Sequence, residues 1–165
     1  IISSEIAKVM GLSALVIEGL IECGNLHDIG KFRVPLDILN KPSRLSSTEF
    51  EIVKQHAQDG YDVLKSIQFP WPIAEVALQP HEKMDGSGYP QGLKGDEIIL
   101  EARILAVADV IEAMATHRPY RQGLGIDKAL EEIESGRGIK YDAQVADACL
   151  KLFRELGFKL PSTSF

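Results

Sequence analysis

An all-α bundle of about six or seven helices is the architecture this sequence predicts, on three observations. Apolar residues recur at three- and four-residue spacing in segment after segment, no segment alternates with a period of two, and Gly, Pro and helix-capping residues fall between the periodic segments. With 165 residues and 45% hydrophobic content, the chain can bury one core without covalent staples. Residues 1–160 are expected to form one domain whose first helix lacks its start, followed by a loose tail over 161–165. Ile1 to Val9 already read as helix, with no initiator methionine, so a longer parent chain is expected.

The elements follow in order. Residues 2–10 read as helix ending at Gly11, and Ser13 is an N-cap for a second helix in which Val16, Leu20, Cys23 and His27 share one face. His27 is thereby carried inward, while Glu18, Glu22 and Asn25 face water. Residues 32–45, with Pro35, Lys41, Pro42 and Arg44, read as an irregular basic connection. Ser46-Ser47-Thr48-Glu49 has the capping-box form and opens a helix to about Ile67. Its expected stripe is Phe50, Val53, Ala57, Tyr61 and Leu64, with His56 at the edge. A helix from about Ile73 should end just before His81, because Pro80 removes a backbone donor. Gly86, Gly88, Gly92 and Gly95 mark an ordered loop. The helix from Ile98 to about Thr116 is apolar almost all round and therefore central, yet it contains Asp109. Two amphipathic helices, about 127–135 and 143–156, close the chain, the last capped by Asp142 and stopped by Gly157.

A net charge of −6 and a pI near 5.2 argue against a nucleic-acid polymer as the main partner, since phosphate backbones are gripped by basic surfaces. Cys23 and Cys149 belong to no C-x-x-C pair and read as reduced core thiols, as in a cytoplasmic protein. The most apolar run, Ile104 to Ile111, is far too short to span a bilayer.

Leu26-His27-Asp28-Ile29-Gly30-Lys31 sets an imidazole and a carboxylate side by side at a helix end. Both are ligands for a borderline divalent cation, a carboxylate can bridge two such ions, and Lys31 could hold a phosphate against them. A histidine capping its own helix near a C-cap glycine would account for the pair taken alone. His56, His81 and Asp109 also have ordinary readings: an amphipathic-face histidine, a loop histidine, and a core carboxylate paired with Arg103. Together, the five fall near the inner faces or ends of successive helices, and a bundle core is where such ligands converge on paired metals.

The chain resembles the HD-GYP branch of the HD superfamily of metal-dependent phosphohydrolases. The resemblance lies in His27-Asp28-Ile29-Gly30-Lys31 with Val34-Pro35, His56, His81-Glu82 followed by Asp85-Gly86-Ser87-Gly88-Tyr89-Pro90, Ala108-Asp109, and Arg118-Pro119-Tyr120-Arg121. These pieces run in family order from about residue 10 to 155. The resemblance implies a bacterial signalling domain that hydrolyses cyclic di-GMP through a hydroxide bridging two metals, iron or manganese. It implies that Asp28 bridges them, that His27 and Asp109 complete one site, and that His56 and His81 bind the other. Lys31, Arg118 and Arg121 match positions that hold substrate phosphates. Expected partners are an upstream sensor or receiver module and diguanylate cyclase domains, the latter through the Gly86–Pro90 loop.

Two departures from that family pattern stand out. Pro80 occupies a position where a second histidine is usual, so the second metal is expected to bind weakly or not at all, with the Gln79 amide a poor substitute. A histidine that serves the first metal would precede Ile1, and Glu5 does not fall at its position. A degenerate domain acting as a binding or interaction module, and a phosphohydrolase acting on another nucleotide, are therefore alternatives to the cyclic di-GMP phosphodiesterase.

Overall fold

A computed structural model describes residues 1–26, 45–115 and 125–160. His27, Asp28, Lys31, Arg118, Arg121 and the expected tail 161–165 lie outside the described residues. Among those described there are seven α-helices and no named strand: α1 (Ile2–Val9), α2 (Ala14–Leu26), α3 (Ser47–Leu64), α4 (Ile73–Leu78), α5 (Leu100–Ala115), α6 (Ile126–Gly136) and α7 (Ala143–Arg154). The all-α expectation holds.

Local chemistry sets most helix ends. Gly11, at φ +75°, follows α1, the position where a residue without Cβ adopts the left-handed turn at least cost. Ser13 Oγ accepts from Val16 N–H at 3.3 Å and opens α2. At α3 the capping box is complete: Ser46 Oγ accepts from Glu49 N–H at 3.2 Å, and Glu49 accepts from Ser46 N–H at 2.9 Å. Helix α4 stops at Leu78, two residues before Pro80. Asp142 caps α7 by accepting from Gln144 N–H and Val145 N–H at 2.8 and 3.0 Å.

Helix α5 is the hub and packs against α1, α2, α4, α6 and α7. It separates two apolar clusters. On one side Ile104, Val107, Ala108 and Ile111 join Ile2 and Ile6 of α1, Leu130 and Ile133 of α6, and Val145, Cys149 and Leu152 of α7. On the other, Leu105 meets Cys23 of α2, Leu64 of α3 and Ile73, Val76 and Ala77 of α4. Each fully buried Ile, Leu or Val contributes about 1.5–3 kcal/mol, so these clusters hold the bundle together. Arg103, at the start of α5, pairs with the α7 cap residue Asp142 at 2.7 Å.

Two expectations about faces need correction. The buried residues of α3 are His56, Ala57, Asp59, Gly60 and Leu64, so His56 lies among them, whereas Phe50 is 43% exposed. Among the described residues α3 packs against α4, and its buried positions begin at His56. Asp109 is half-buried rather than enclosed, because α5 is covered most fully over Ile104 to Ala108.

Cys23 and Cys149 are both fully buried and free. Burial pushes each thiol pKa up to about 12, and at Cys23 the negative charges of Glu101 and Glu22 add to it.

Candidate metal centre

His56 reaches the site from the buried face of α3, and His81 from the turn that follows α4. Because α4 packs along α3, the two imidazoles meet edge to face with centroids 4.9 Å apart, and their Nε2 atoms are 3.1 Å apart. His56 Nδ1–H donates to the Val53 carbonyl one turn back on its own helix. That bond sets the tautomer: Nε2 of His56 carries the lone pair and faces His81 Nε2. A backbone carbonyl on the far nitrogen is the usual partner of a metal-ligating histidine.

The separation can be tested against a shared cation. Two nitrogens each about 2.1 Å from one ion lie about 3.0 Å apart at a right angle and about 3.4 Å apart at a tetrahedral angle. The observed 3.1 Å falls between these, so the pair fits two adjacent ligands of one divalent metal. No group of three or more His, Cys, Asp or Glu that could hold a metal occurs among the described residues. The further expected ligands His27 and Asp28 lie outside them.

His81 is aimed by the loop behind it. Its ring stacks on Tyr89, with centroids 5.0 Å apart and planes 15° apart, and Tyr89 N–H donates to the His81 carbonyl at 3.2 Å. Gly88 lets this happen: a Cβ there would press on the His81 carbonyl and lie 2.5 Å from Glu82 Cα and 2.6 Å from Lys83 N. Next to His81, the Glu82 side chain turns the opposite way. It is 2% exposed, and its two carboxylate oxygens accept from Gln91 N–H at 2.7 Å and Leu93 N–H at 2.9 Å. One carboxylate thus pins the far side of the loop, which an Asp85–Lys94 bridge and the Gly95 N–H to Met84 carbonyl bond close at its base. The Ser87 hydroxyl and backbone N–H also hold the Asp85 carboxyl below the usual range.

Gln79 does not stand in for the missing histidine, because its amide oxygen accepts from Ile99 N–H at 2.9 Å just before α5. The helix before Pro80 ends where expected, and His81 meets His56 beyond it. Burial and the nearby Lys140 lower the pKa of Lys83, and the charges of Glu132, Asp109 and Asp85 oppose that shift.

Glu82 and Tyr89 were quoted in the sequence motif but given no task there. A carboxylate directly before a glycine-rich loop, whose backbone N–H groups lack a regular ladder, was the available signal for Glu82.

Residues 2–145 match the HD domain family. Over 157 residues, 94% of this chain, the sequence is 43% identical to a cyclic di-GMP phosphodiesterase of Thermotoga maritima, of which it spans 43%. It is 36% identical over 150 residues to the 3'3'-cGAMP-specific phosphodiesterase 1 of Vibrio cholerae, covering 88% of this chain and 34% of that protein. Among solved structures, an HDG"Y"P protein from Bdellovibrio bacteriovorus superposes on 93% of this chain and 49% of its own, with a TM-score of 0.76 at 18% identity. The chain spans less than half the length of each of these proteins. Matched from its first helix into its last, and sharing its helical fold with a solved protein over 93% of its length, this chain belongs to the HD domain family.

Proposed function

We propose that residues 1–160 are the catalytic domain of a cytoplasmic, metal-dependent phosphodiesterase that hydrolyses cyclic di-GMP. The observation that carries this reading is the His56–His81 pair, two imidazole nitrogens 3.1 Å apart with one tautomer fixed by Val53. In this reading His56 and His81 hold one divalent ion, iron or manganese. His27, Asp28 and Asp109 hold a second, Asp28 being shared between them. Bound there, the cations would lower the pKa of a water and offset charge building on the phosphoryl oxygens. Lys31, Arg118 and Arg121 would grip the phosphates, for which charge-assisted bonds are the strong ones. An upstream sensor or receiver module would control the domain, and the Gly86–Pro90 loop would meet cyclase partners. The similarity to a cyclic di-GMP phosphodiesterase supports the choice of substrate.

The test is metal content and turnover of anaerobically purified protein, alongside Asp28→Ala and Pro80→His. One firmly bound metal per chain, the second site being weak or empty beside Pro80, with cleavage of cyclic di-GMP, and loss of both metal and cleavage in Asp28→Ala, is the expected result. Empty protein that cleaves no dinucleotide would end the enzymatic reading. Pro80 favours a second reading, an impaired domain retained for binding; a gain of about one metal and a large rise in turnover in Pro80→His would support it. Similarity to a cGAMP-specific enzyme favours including cyclic GMP-AMP in the same assay.

A further inference from the structure

Phe50 has no place in the core or in the ligand set, yet its ring is held in position. It lies 43% exposed at the start of α3, with its centroid 5.9 Å from Tyr89 in an edge-to-face contact at 82°. Tyr89 in turn stacks on His81 at 5.0 Å, and His81 meets His56 at 4.9 Å. A continuous row of four rings therefore runs from the buried His56, through the half-buried His81, to the surface. Beside its outer end is a cation: Lys54 Nζ lies 5.3 Å from the Phe50 centroid and 6.0 Å from that of Tyr89, and pairs with Glu51 at 2.5 Å.

Isolated apolar side chains on a surface are ordinary. A ring fixed by a second ring, flanked by an ammonium and continuous with a phosphoryl-transfer site is a different arrangement. We propose that the exposed face of Phe50, with Lys54 beside it, is a stacking subsite for the nucleobase of a phosphorylated nucleotide. This deepens the phosphodiesterase reading and rests on it for the location of the phosphate. The base would lie on a π-face that is already ordered, so little side-chain freedom is lost on binding. A purine offers the larger stacking area. The Lys54–Glu51 pair lies within one helix with Glu51 well exposed and Lys54 partly so, a contact of the kind that contributes little, so a phosphate can replace Glu51 as the partner of Lys54.

Calorimetric titration of the protein with GMP and with ribose 5-phosphate tests the proposal, because both carry the same phosphomonoester and only one carries a base. Wild-type protein should bind GMP more tightly than ribose 5-phosphate. Phe50→Ala should weaken GMP about fivefold to a hundredfold and leave ribose 5-phosphate unchanged, since a stacked base contributes on that scale. Phe50→Trp should restore the preference, and Phe50→Leu, which keeps apolar contact with Tyr89 but has no π-face, should not. Equal affinity for the two ligands in wild type overturns the subsite. So does unchanged GMP binding in Phe50→Leu, or an equal loss of both ligands. The outcomes also separate from those for the enzyme. Selective loss of GMP in a protein that cleaves no dinucleotide removes the phosphodiesterase and leaves the subsite. Cleavage of cyclic di-GMP with an unchanged KM in Phe50→Leu removes the subsite and leaves the phosphodiesterase.

Discussion

The side of α5 that faces α1, α6 and α7 and the loop that follows His81 are held together by different physics. Around Ile104 and Ile133 cohesion comes from apolar area, which is non-directional and spread over many side chains. From His81 to Gly95 it comes from a few directed bonds: the Glu82 carboxylate, the Tyr89 N–H, and the amides of Gly86 and Gly95. Area stabilises a fold without aiming anything. The paired imidazoles require an aim good to a fraction of an ångström, and they sit where the directed bonds are.

That difference can be broken or sharpened by substitution. The largest effect is expected at Ile104→Ala, a cavity in a fully buried position, with a loss of about 2–5 kcal/mol in urea unfolding. Ile104→Val should cost only about 0.5–1.5 kcal/mol, because the apolar side tolerates conservative change.

At Glu82 the expected pattern is the reverse. Glu82→Ala leaves two loop N–H groups without their acceptor, for about 1.5–3 kcal/mol, and Glu82→Gln should recover only part of it, since an amide offers one oxygen for two donors. Amide hydrogen exchange at Gln91 and Leu93 is the measurement. Unchanged protection in Glu82→Ala would mean that the loop is not held by that carboxylate.

A smaller effect is set by the buried thiols. Their protonated form is held up to about 12 in the fold against 9.0 in the unfolded chain. Their contribution is therefore fully present below pH 9 and is lost as pH rises from 9 toward 12. At pH 9.5 each should cost about 1 kcal/mol relative to neutral pH. Cys23→Ala and Cys149→Ala should each flatten the alkaline limb of a stability profile, and native protein should resist thiol alkylation at pH 8.

The smallest effect belongs to Arg137. Its guanidinium meets Asp147 at 2.6 Å at the surface, lowering the carboxyl pKa and raising its own. Arg137→Ala should shift the thermal midpoint by no more than replicate scatter, and added salt should erase any shift, because exposed pairs are screened.

Much of the helical framework was legible because local chemistry dictates it. Ser46 with Glu49, Asp142 before α7 and Pro80 after α4 each act within a few residues, and each marks its boundary as expected. What periodicity cannot supply is coverage. It places Phe50 and Ala57 two turns apart on one face but does not say how far along the helix that face is covered, and Phe50 is exposed. The same applies to Asp109, carried by a mostly apolar helix yet half-buried. At the site, His56 and His81 are 25 residues apart and converge only through tertiary packing, so the motif resemblance, not the spacing, nominated them together. The loop's use of Glu82 was hidden for a further reason. A carboxylate looks the same in sequence whether it binds an ion, water or backbone.

Asp142 serves two helices at once. The same carboxylate that starts α7 also receives Arg103 of α5, across 39 residues of chain. Any truncation that removes Asp142 therefore takes away more than a terminal appendage: it strands a largely enclosed guanidinium at the root of the central helix. The lesion would be felt at the hub first, so a shortened version of this chain has its natural limit after α7 and not before it.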